Sequence, residues 1–412
     1  MHHVVVMVTT SYPRFPGDHV GTFMEPIAKR VAARGHDVHI VAPWHPLIVR
    51  GRVEDGVSFH FFKYAPVSAL NVFGYAAGMR ADVTLRGAAW LAAPLAMTAG
   101  WFKAMRVARK RGATVMHGHW VVPGGVIASR ARPRLPLVVS LHGSDVFVAE
   151  RTPVARTAAR RVFARSGAVT ACSQDLADRA IALGADPDRM HVVPYGVDSA
   201  RFKPSTEVER IAIRRGAGIP DHAPVVVAAG RLVRKKGFEY LIDALPLMRT
   251  PNVHLLIAGA GDLGDELDAR ARGERAAGRV HFAGNVSQDT VGAWFAAADV
   301  VAVPSVRDDS GNVDGLPNTL LEGLASGTPI VTTAAGGIGG VVEHDRSALV
   351  VAERDPRGLA EAIDALLASA ERRARLGQAG RTLVDERFGW DAAAARFEAA
   401  YDRALAFKSL TR

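Results

Sequence analysis

The chain has 412 residues, a formal net charge of +10, 49% hydrophobic residues and 22% charged residues. This composition is typical of a folded protein, and the length corresponds to two or three domains. The single cysteine, Cys172, excludes an intramolecular disulfide and a metal site built on paired cysteines.

The positive charge is concentrated in the first half of the chain. Residues 1–200 carry 24 Lys+Arg against 13 Asp+Glu, whereas residues 201–412 carry 27 against 28. No acidic residue lies between Asp82 and Asp145, a stretch that holds nine basic residues. Such a stretch attracts phosphates, acidic lipid headgroups or nucleic acid, or it is simply a solvated surface.

The first residues, MHHVVVMVTT, lack the basic region and cleavage site of a secretory signal and predict a buried strand. The longest apolar run, Gly87–Phe102, has 16 residues and contains Pro94, which is short of the roughly 20 residues that span a bilayer. We therefore expect a cytoplasmic protein that can at most touch the inner face of the cell membrane.

Short apolar, β-branched runs alternate with helical patterns along the whole chain, which indicates parallel sheets covered by helices on both faces. A polar, proline-containing stretch at 201–224 separates two such series. We predict two doubly wound domains, 1–203 and 204–390, facing across a cleft, with a C-terminal helix at 391–412 crossing back to the first domain. The predicted strands are His3–Val8, Val38–Val41, Thr114–His117, Leu137–Leu141 and Ala168–Ala171, then Val225–Ala229, His254–Ala258, Val280–Phe282, Val300–Val303, Ile330–Thr333 and Ala348–Val351.

Two loops of the first domain carry candidate site residues. In SYPRFPGDHVGTF, Thr22 and Glu25 form a capping-box pattern that predicts a helix from about Phe23, and Gly21 would let a ligand approach that helix end. In SLHGSD, His142 directly follows a strand and can donate to a sugar hydroxyl or a phosphate, with Asp145 in the same loop.

Two further histidines, in the sequence HGHW, also end a strand, but no carboxylate completes a metal-ligand set with them. We expect His117 to be a packed, hydrogen-bonded histidine.

The second domain begins with a strand followed by GRLVRKKG, residues 230–237. Arg231 and Lys236 suit a diphosphate, because a forked guanidinium and a compact ammonium both bind phosphate oxygens. Arg234 and Lys235 are expected to be solvated.

The richest segment is PSVRDDSGNVDGLPNTLLEGLASG, residues 304–327. Asp314 lies in a loop after a strand, and Pro317 suits the first turn of the next helix. Glu322 lies inside that helix among leucines, so it is expected to be buried rather than solvent-facing. Carboxylates so placed can accept from sugar hydroxyls, and the amides at Asn318 and Thr319 lie where a helix start binds phosphate.

The sequence lacks the motifs of several common enzyme classes. The loop AAGGIGG does not match GxGxxG, and the chain contains no GxxxxGK[ST] and no GxSxG. These absences argue against dinucleotide oxidoreduction, nucleotide hydrolysis by a P-loop and serine esterase chemistry.

The order GRLVRKKG, GNV and PS…DGLPNTLLEGLASGTPIV resembles the retaining glycosyltransferases of family four, which have the GT-B fold, and SYP…GTF, LHGSD and HVVPYGVD agree. The resemblance covers nearly the whole chain and is weakest over about 45–115. It implies transfer of a hexose-type sugar from a nucleotide-diphosphate sugar to an acceptor hydroxyl, with retention of configuration and no metal or other cofactor.

The resemblance also implies roles for single residues. The family motif E-x7-E reads Asp314-x7-Glu322 here, with a shortened first acid. Glu322 would bind the ribose hydroxyls, and Asp314 would meet the transferred sugar. The diphosphate would be held by Arg231 and Lys236, with help from Gly21, Asn318 and Thr319, and His142 and Asp145 would lie beside the sugar. Asn285, Val286 and Leu316 would border the nucleotide.

Alternatives to this activity are a GT-B nucleotide-sugar 2-epimerase and a non-catalytic nucleotide-sugar-binding subunit. For the acceptor, the basic and apolar faces of WFKAMRVARKR, residues 101–111, suggest a lipid-linked or membrane-proximal glycan at an anionic surface. The other interpretation of this segment is a core helix with a solvated basic edge. A nucleic-acid partner is not expected, because few aromatic residues accompany the basic ones.

Overall fold

The computed structural model describes residues 1–410 except residues 19, 72, 76–78, 81–83, 86 and 274–275, and it leaves out the side chains of residues 69, 76–91 and 410. The chain divides into two compact units. Unit 1 comprises Met1–Pro194 and Trp390–Arg412, and unit 2 comprises Tyr195–Gly389.

Among its described residues, unit 1 contains an eight-stranded sheet in the order β10-β9-β8-β7-β1-β2-β4-β3, in which only the short pair β3–β4 is antiparallel. Its strands are β1 Val4–Val8, β2 Asp37–Pro43, β3 Val53–Glu54, β4 Val57–Phe62, β7 Val115–His119, β8 Leu137–Leu141, β9 Ala168–Ala171 and β10 Met190–Val192, with a separate two-stranded ribbon of β5 Met79–Arg80 and β6 Thr84–Leu85. The five strands predicted for this half are present, whereas β3, β4, β10 and the ribbon were not foreseen.

Helices cover both faces of this sheet. They are α1 Met24–Ala33, α2 Gly87–Lys110, α3 Val126–Ala131, α4 Ser144–Arg151, α5 Pro153–Arg165, α6 Gln174–Ala182 and the C-terminal α14 Trp390–Leu410. Helix α14 packs in the core of unit 1 through Phe397 and Tyr401, beside residues of β1, β2 and α1. No helix among the described residues combines the length and hydropathy needed to cross a membrane.

Unit 2 contains a parallel sheet of six described strands in the order β13-β12-β11-β14-β15-β16. The strands are β11 Val225–Ala229, β12 His254–Ala258, β13 Val280–Phe282, β14 Val300–Val303, β15 Ile330–Thr333 and β16 Leu349–Val351, as the apolar runs predict. The helices are α7 Glu207–Gly216, α8 Phe238–Ala244, α9 Gly264–Ala271, α10 Gln288–Ala297, α11 Asn318–Ala325, α12 Pro356–Leu367 and α13 Ala370–Arg387.

The strand order of unit 2 fixes where its site lies. Strands β11, β14 and β15 are neighbours and run parallel, so their carboxyl ends meet at one edge of the sheet. The loops at 230–237, 304–317 and 334–340 follow these three strands and therefore converge there, which is where open parallel sheets bind ligands.

Candidate active site

Two glycines let the converging loops of unit 2 approach each other closely. Gly237 has φ +65°, and a Cβ added there would lie 2.0 Å from the carbonyl oxygen of Pro304. Gly336 of AAGGIGG has φ +56°, and its Cβ would lie 2.1 Å from the carbonyl oxygen of Asp314. A larger residue at either position would clash with these carbonyl oxygens and push the loops apart. The two glycines therefore allow the close packing that positions the backbone of Asp314.

Asp314 lies between two lysines, a grouping we name the lysine–aspartate cluster. Its Oδ1 is 2.9 Å from Nζ of Lys235, and its Oδ2 is 2.6 Å from Nζ of Lys236. Burial disfavours the carboxylate, but the charges of Lys235 and Lys236 outweigh burial and hold the pKa of Asp314 well below its usual value. All three groups therefore carry charge, and the cluster keeps one net positive charge.

The prediction that Lys235 is solvated was wrong. Its residue is 8% exposed, because the short 3-10 helix Arg234–Lys236 turns its side chain inward toward Asp314. Arg234 points the other way and pairs with Glu266. Sequence alone could not tell which of three consecutive cations faces the carboxylate.

Arg231 occupies the start of the same loop, and its side chain is exposed. The nearby acidic charges that act on it are those of Asp262 and Asp314. Asp262 follows β12 and was not singled out from the sequence.

Glu322 lies in α11 and is 9% exposed, which confirms the prediction of a buried glutamate. The side-chain amide of Gln288 lies 3.5 Å from its Oε1, and Gln288 in turn accepts from Arg201 at 2.8 Å. Burial raises the pKa of Glu322 to about 7, although the charges of Lys236 and Arg201 pull it down. Near pH 7 the carboxyl of Glu322 is therefore close to its midpoint of ionisation. Neither Gln288 nor Arg201 was predicted from the sequence.

Helix α11 begins at Asn318, with Pro317 preceding it in an extended conformation rather than inside the first turn. Its first amides, including those of Asn318 and Thr319, have no acceptor within the helix and carry its positive dipole end. Oδ1 of Asn318 is buried and has no hydrogen-bond partner among the described residues. Leu316, in the loop before α11, is 5% exposed.

The turn predicted to border the base follows β13. Asn285 is exposed and Val286 is half-buried. The preceding residue, Gly284, accepts a hydrogen bond at 2.8 Å from the amide of Gly259, which follows β12. This bond fixes the turn against the neighbouring loop.

In unit 1, Gly21 has φ +66° and lies against Ser11, at the turn before α1. The predicted capping box is absent: the helix begins at Met24 with no side-chain cap. Glu25 instead pairs with Lys29 at 2.8 Å and Arg50 at 2.9 Å. The carboxylate of Glu25 therefore forms ion pairs with two cations instead of the capping hydrogen bond to a backbone amide that the pattern predicts.

The loop that carries His142 is held by Asp145. Oδ2 of this carboxylate accepts from the amide of Val121 at 2.7 Å, and Oδ1 accepts from the amides of Gly143 and His142 at 3.0 and 3.2 Å. Asp145 is 4% exposed. Its carboxylate therefore positions the loop, a role that differs from the predicted contact with substrate.

His142 is half-buried and surrounded by rings. The centroids of Phe23 and Trp120 both lie 4.7 Å from its own, and Nδ1 of His119 lies 3.1 Å from its Nε2. Trp120 has φ +61°, an uncommon conformation for a residue other than glycine that is often kept at functional sites. Neither Trp120 nor the link between His119 and His142 was predicted.

His117 is the packed histidine that was expected, which confirms that prediction. It is 0% exposed and bonds to the hydroxyls of Tyr401 at 3.0 Å and Ser140 at 2.7 Å. Among the described residues, no group of three or more histidine, cysteine or acidic side chains could hold a metal ion.

Comparison with known proteins gives consistent matches over both units. Residues 209–383 match the family described as glycosyl transferases group 1, and residues 20–201 match glycosyltransferase family 4. The GDP-mannose-dependent alpha-(1-6)-phosphatidylinositol monomannoside mannosyltransferase of Mycobacterium tuberculosis is 28% identical over 95% of this chain and 96% of its own length. The protein of the same name from Mycolicibacterium smegmatis is 36% identical over 66% of this chain and 71% of its own length.

Solved structures give the same answer for the fold. The crystal structure of Anabaena HepE in complex with UDP-glucose is similar with a TM-score of 0.77 and 20% sequence identity, over 97% of this chain and 100% of that one. This similarity establishes the GT-B fold of two Rossmann-like units. The family matches and the 36% identical relative show that the chain belongs to the family 4 glycosyltransferases, retaining enzymes that transfer a sugar from a nucleotide-sugar donor to an acceptor.

Proposed function

We propose that unit 2 binds the diphosphate of the donor at the lysine–aspartate cluster. The observation that supports this most is a pair of lysines, Lys235 buried and Lys236 half-buried, whose ammonium groups share one carboxylate. The positive charge left over matches a diphosphate, to which Arg231 and the first amides of α11 add further donors.

The remaining contacts to the nucleotide follow from the same placement. Glu322 accepts from the ribose hydroxyls once it ionises, with Gln288 beside it. Asn285, Val286 and Leu316 border the base and ribose. Asp314 meets hydroxyls of the transferred sugar. In unit 1, His142 donates to a sugar hydroxyl or a phosphate oxygen of the substrate.

The chemistry we propose is electrostatic. The bond from the anomeric carbon to the diphosphate oxygen breaks, and Lys236 and Arg231 stabilise the negative charge that develops on the diphosphate. The acceptor hydroxyl forms the new bond from the face that the diphosphate leaves, which preserves configuration, and its proton passes to the departing diphosphate oxygen. Asp314 and Glu322 are engaged in binding and are not the acid and base of a glycosidase. Because cations of the chain neutralise the diphosphate, we expect turnover without an added metal, unchanged after EDTA treatment and dialysis.

For the donor, we propose a nucleoside-diphosphate hexose, and GDP-mannose is the first to test because two relatives are named for it. A thermal-shift screen of GDP, UDP, ADP and TDP with their sugars should show a raised midpoint for one nucleotide, since a ligand that binds only the folded protein stabilises it. Acceptor-dependent release of nucleotide then separates transfer from epimerisation and from binding alone.

For the acceptor, we propose a lipid-linked glycan, of the phosphatidylinositol mannoside kind named for the relatives, reached at an anionic membrane surface. Helix α2 supports this: Leu95 is 60% and Phe102 is 52% exposed, and Arg106 and Lys110 are exposed on the same helix. Ala108 of the same helix is buried. Residues 87–91 of the apolar run have no described side chains.

A second feature of unit 1 favours an anionic surface. A cavity of about 680 Å³ between α3 and α5 is lined by Arg130, Arg161 and Arg165 together with valines and prolines. No acidic side chain lines it, and Val154 at its rim is 80% exposed. Arg165 donates to backbone carbonyls, including that of Arg132 at 3.2 Å, so Arg130 and Arg161 are the cations offered to a ligand. Exposed apolar groups beside these cations suit an acidic lipid headgroup and the start of its chains.

Vesicle flotation tests the membrane proposal. At low salt we expect the protein to float with vesicles that contain acidic phospholipid. With neutral vesicles it should remain in the bottom fraction, unbound. Arg106→Glu should weaken flotation, whereas Arg357→Glu, an exposed site in unit 2 with the same change of charge, should not. Equal recovery with both vesicle types, or equal loss in both variants, would remove the proposal.

A further inference from the structure

The bond between His119 and His142 carries information about the protons on both rings. The two nitrogens lie 3.1 Å apart, and the ring planes differ by 13°, so the rings face each other edge to edge. Burial lowers the pKa of His119 to about 3 and that of His142 well below its usual value. Both rings are therefore neutral near pH 7, and one proton lies between them.

Two arrangements of that proton are possible. Either Nδ1 of His119 donates to Nε2 of His142, or Nε2 of His142 donates to Nδ1 of His119. In the second case Nε2 of His119 must carry its own proton, because a neutral imidazole has one N–H. That nitrogen is buried and has no hydrogen-bond partner among the described residues.

The burial of this nitrogen decides between the two arrangements. A buried N–H without an acceptor is rarer in proteins than a buried acceptor without a donor. The first arrangement avoids the orphaned N–H by leaving Nε2 of His119 unprotonated. It also requires His142 to carry its proton on Nδ1, since its Nε2 accepts.

We propose that His119 is a positioning residue that fixes the tautomer of His142. Through the bond from its Nδ1 it holds His142 with an acceptor at Nε2 and a donor at Nδ1. This inference rests on the proposed function for its consequence, because only a donating His142 can supply a hydrogen bond to a sugar hydroxyl or phosphate oxygen. The rings of Phe23 and Trp120 beside His142 restrict its rotation.

His117 provides a matched control within the same strand. Its ring lies 4.1 Å from that of His119 and is equally buried, but it bonds to Tyr401 and Ser140 rather than to His142. Substituting His117 removes a buried histidine of similar surroundings and leaves the proton of His142 untouched.

The direct test is a measurement of the tautomer by ¹⁵N NMR on the full chain with labelled histidine, in which the signal of His142 is assigned by its loss in His142→Gln. We expect a protonated Nδ1 and an unprotonated Nε2 for His142 in the wild type. A protonated Nε2 would overturn the inference. This readout needs no turnover, so it stands or fails independently of the proposed function.

Kinetics test the consequence. His119→Asn keeps an amide donor near the place of Nδ1 and should hold kcat within a few-fold of the wild type. His119→Leu removes the donor and should lower kcat about 10- to 100-fold with little change in the donor KM. His117→Leu should lower the thermal midpoint but leave kcat near that of the wild type. Equal kcat for both His119 variants would contradict the positioning role.

Should His119→Leu fail to fold, the tautomer measured in the wild type still decides the inference. Absence of any sugar transfer by the wild type would count against the proposed function alone.

Discussion

The candidate sites of unit 2 and unit 1 both combine buried and half-buried groups, but one is ionic and the other is neutral. In unit 2, Asp314 stays charged because two lysines contact it. In unit 1, His119 and His142 have histidine and aromatic neighbours and burial keeps both rings uncharged. Burial favours the neutral form of each ionisable group. A buried group stays charged only where contact with an opposite charge outweighs the effect of burial.

Glu322 lies between these two cases. It belongs to the ionic site, yet no cation contacts it in the described residues, and burial raises its pKa to about 7. The candidate site of unit 2 therefore combines a carboxylate that is ionised near pH 7 with one whose pKa lies close to that pH.

The largest loss of activity should come from removing the cations of the candidate site in unit 2. Lys236→Ala and Arg231→Ala should each lower kcat by ~10²-fold or more, the scale of losing one preorganised donor. Lys203→Ala, at an exposed position of the same unit, should leave turnover unchanged. Full activity in both site variants would refute the role of the two cations.

Removing the anion of the cluster should destabilise the protein. Asp314→Asn leaves buried Lys235 and half-buried Lys236 without a carboxylate, and we expect a loss of up to about 3–5 kcal/mol in the free energy of unfolding by denaturant titration. Asp309→Asn, at a side chain that is 93% exposed, should lose almost nothing. A nucleoside diphosphate should raise the midpoint of Asp314→Asn more than that of the wild type; an equal rise would place the diphosphate elsewhere.

The proton on Glu322 should give a smaller, pH-dependent effect. The folded protein keeps this proton up to pH about 7, whereas the unfolded chain loses it near the usual value of 4.5, so the free energy of unfolding falls as pH rises between these values. The loss should reach about 3 kcal/mol above pH 7. Glu322→Gln should abolish this part of the slope, and a slope equal to that of the wild type would contradict the raised pKa.

The raised pKa of Glu322 also predicts that binding of the donor nucleotide is coupled to the release of a proton. At pH 6, ionisation of Glu322 against the ribose hydroxyls should release close to one proton per nucleotide bound. Calorimetry in two buffers of different ionisation enthalpy measures that number. No proton release at pH 6 would show that Glu322 does not ionise against the nucleotide.

The strands were the part of the fold that the sequence predicted best. Runs such as Leu137–Leu141, Ala168–Ala171 and Val225–Ala229 are buried on both faces, so they are apolar throughout and their ends are sharp. Strand β4, with the mixed sequence VSFHFF, was missed because its burial alternates.

The residues of the candidate site could be singled out from the sequence, but the bonds among them could not. Lys236 and Asp314 lie in loops that follow strands, and Glu322 lies inside the helix that follows the second of these loops. Which neighbouring residue contacts them depends on the directions of the side chains, which the sequence does not specify. Lys235 was therefore wrongly predicted to be exposed to solvent. The capping box at Glu25 failed for a similar reason, because Arg50 lies 25 residues away in the sequence.

The most direct test of the central claim is a crystal structure of the protein with the nucleotide that the thermal-shift screen selects. The account predicts diphosphate oxygens within hydrogen-bond distance of Lys236 and Arg231 and ribose hydroxyls on the carboxylate of Glu322. A nucleotide bound away from these three side chains would contradict it.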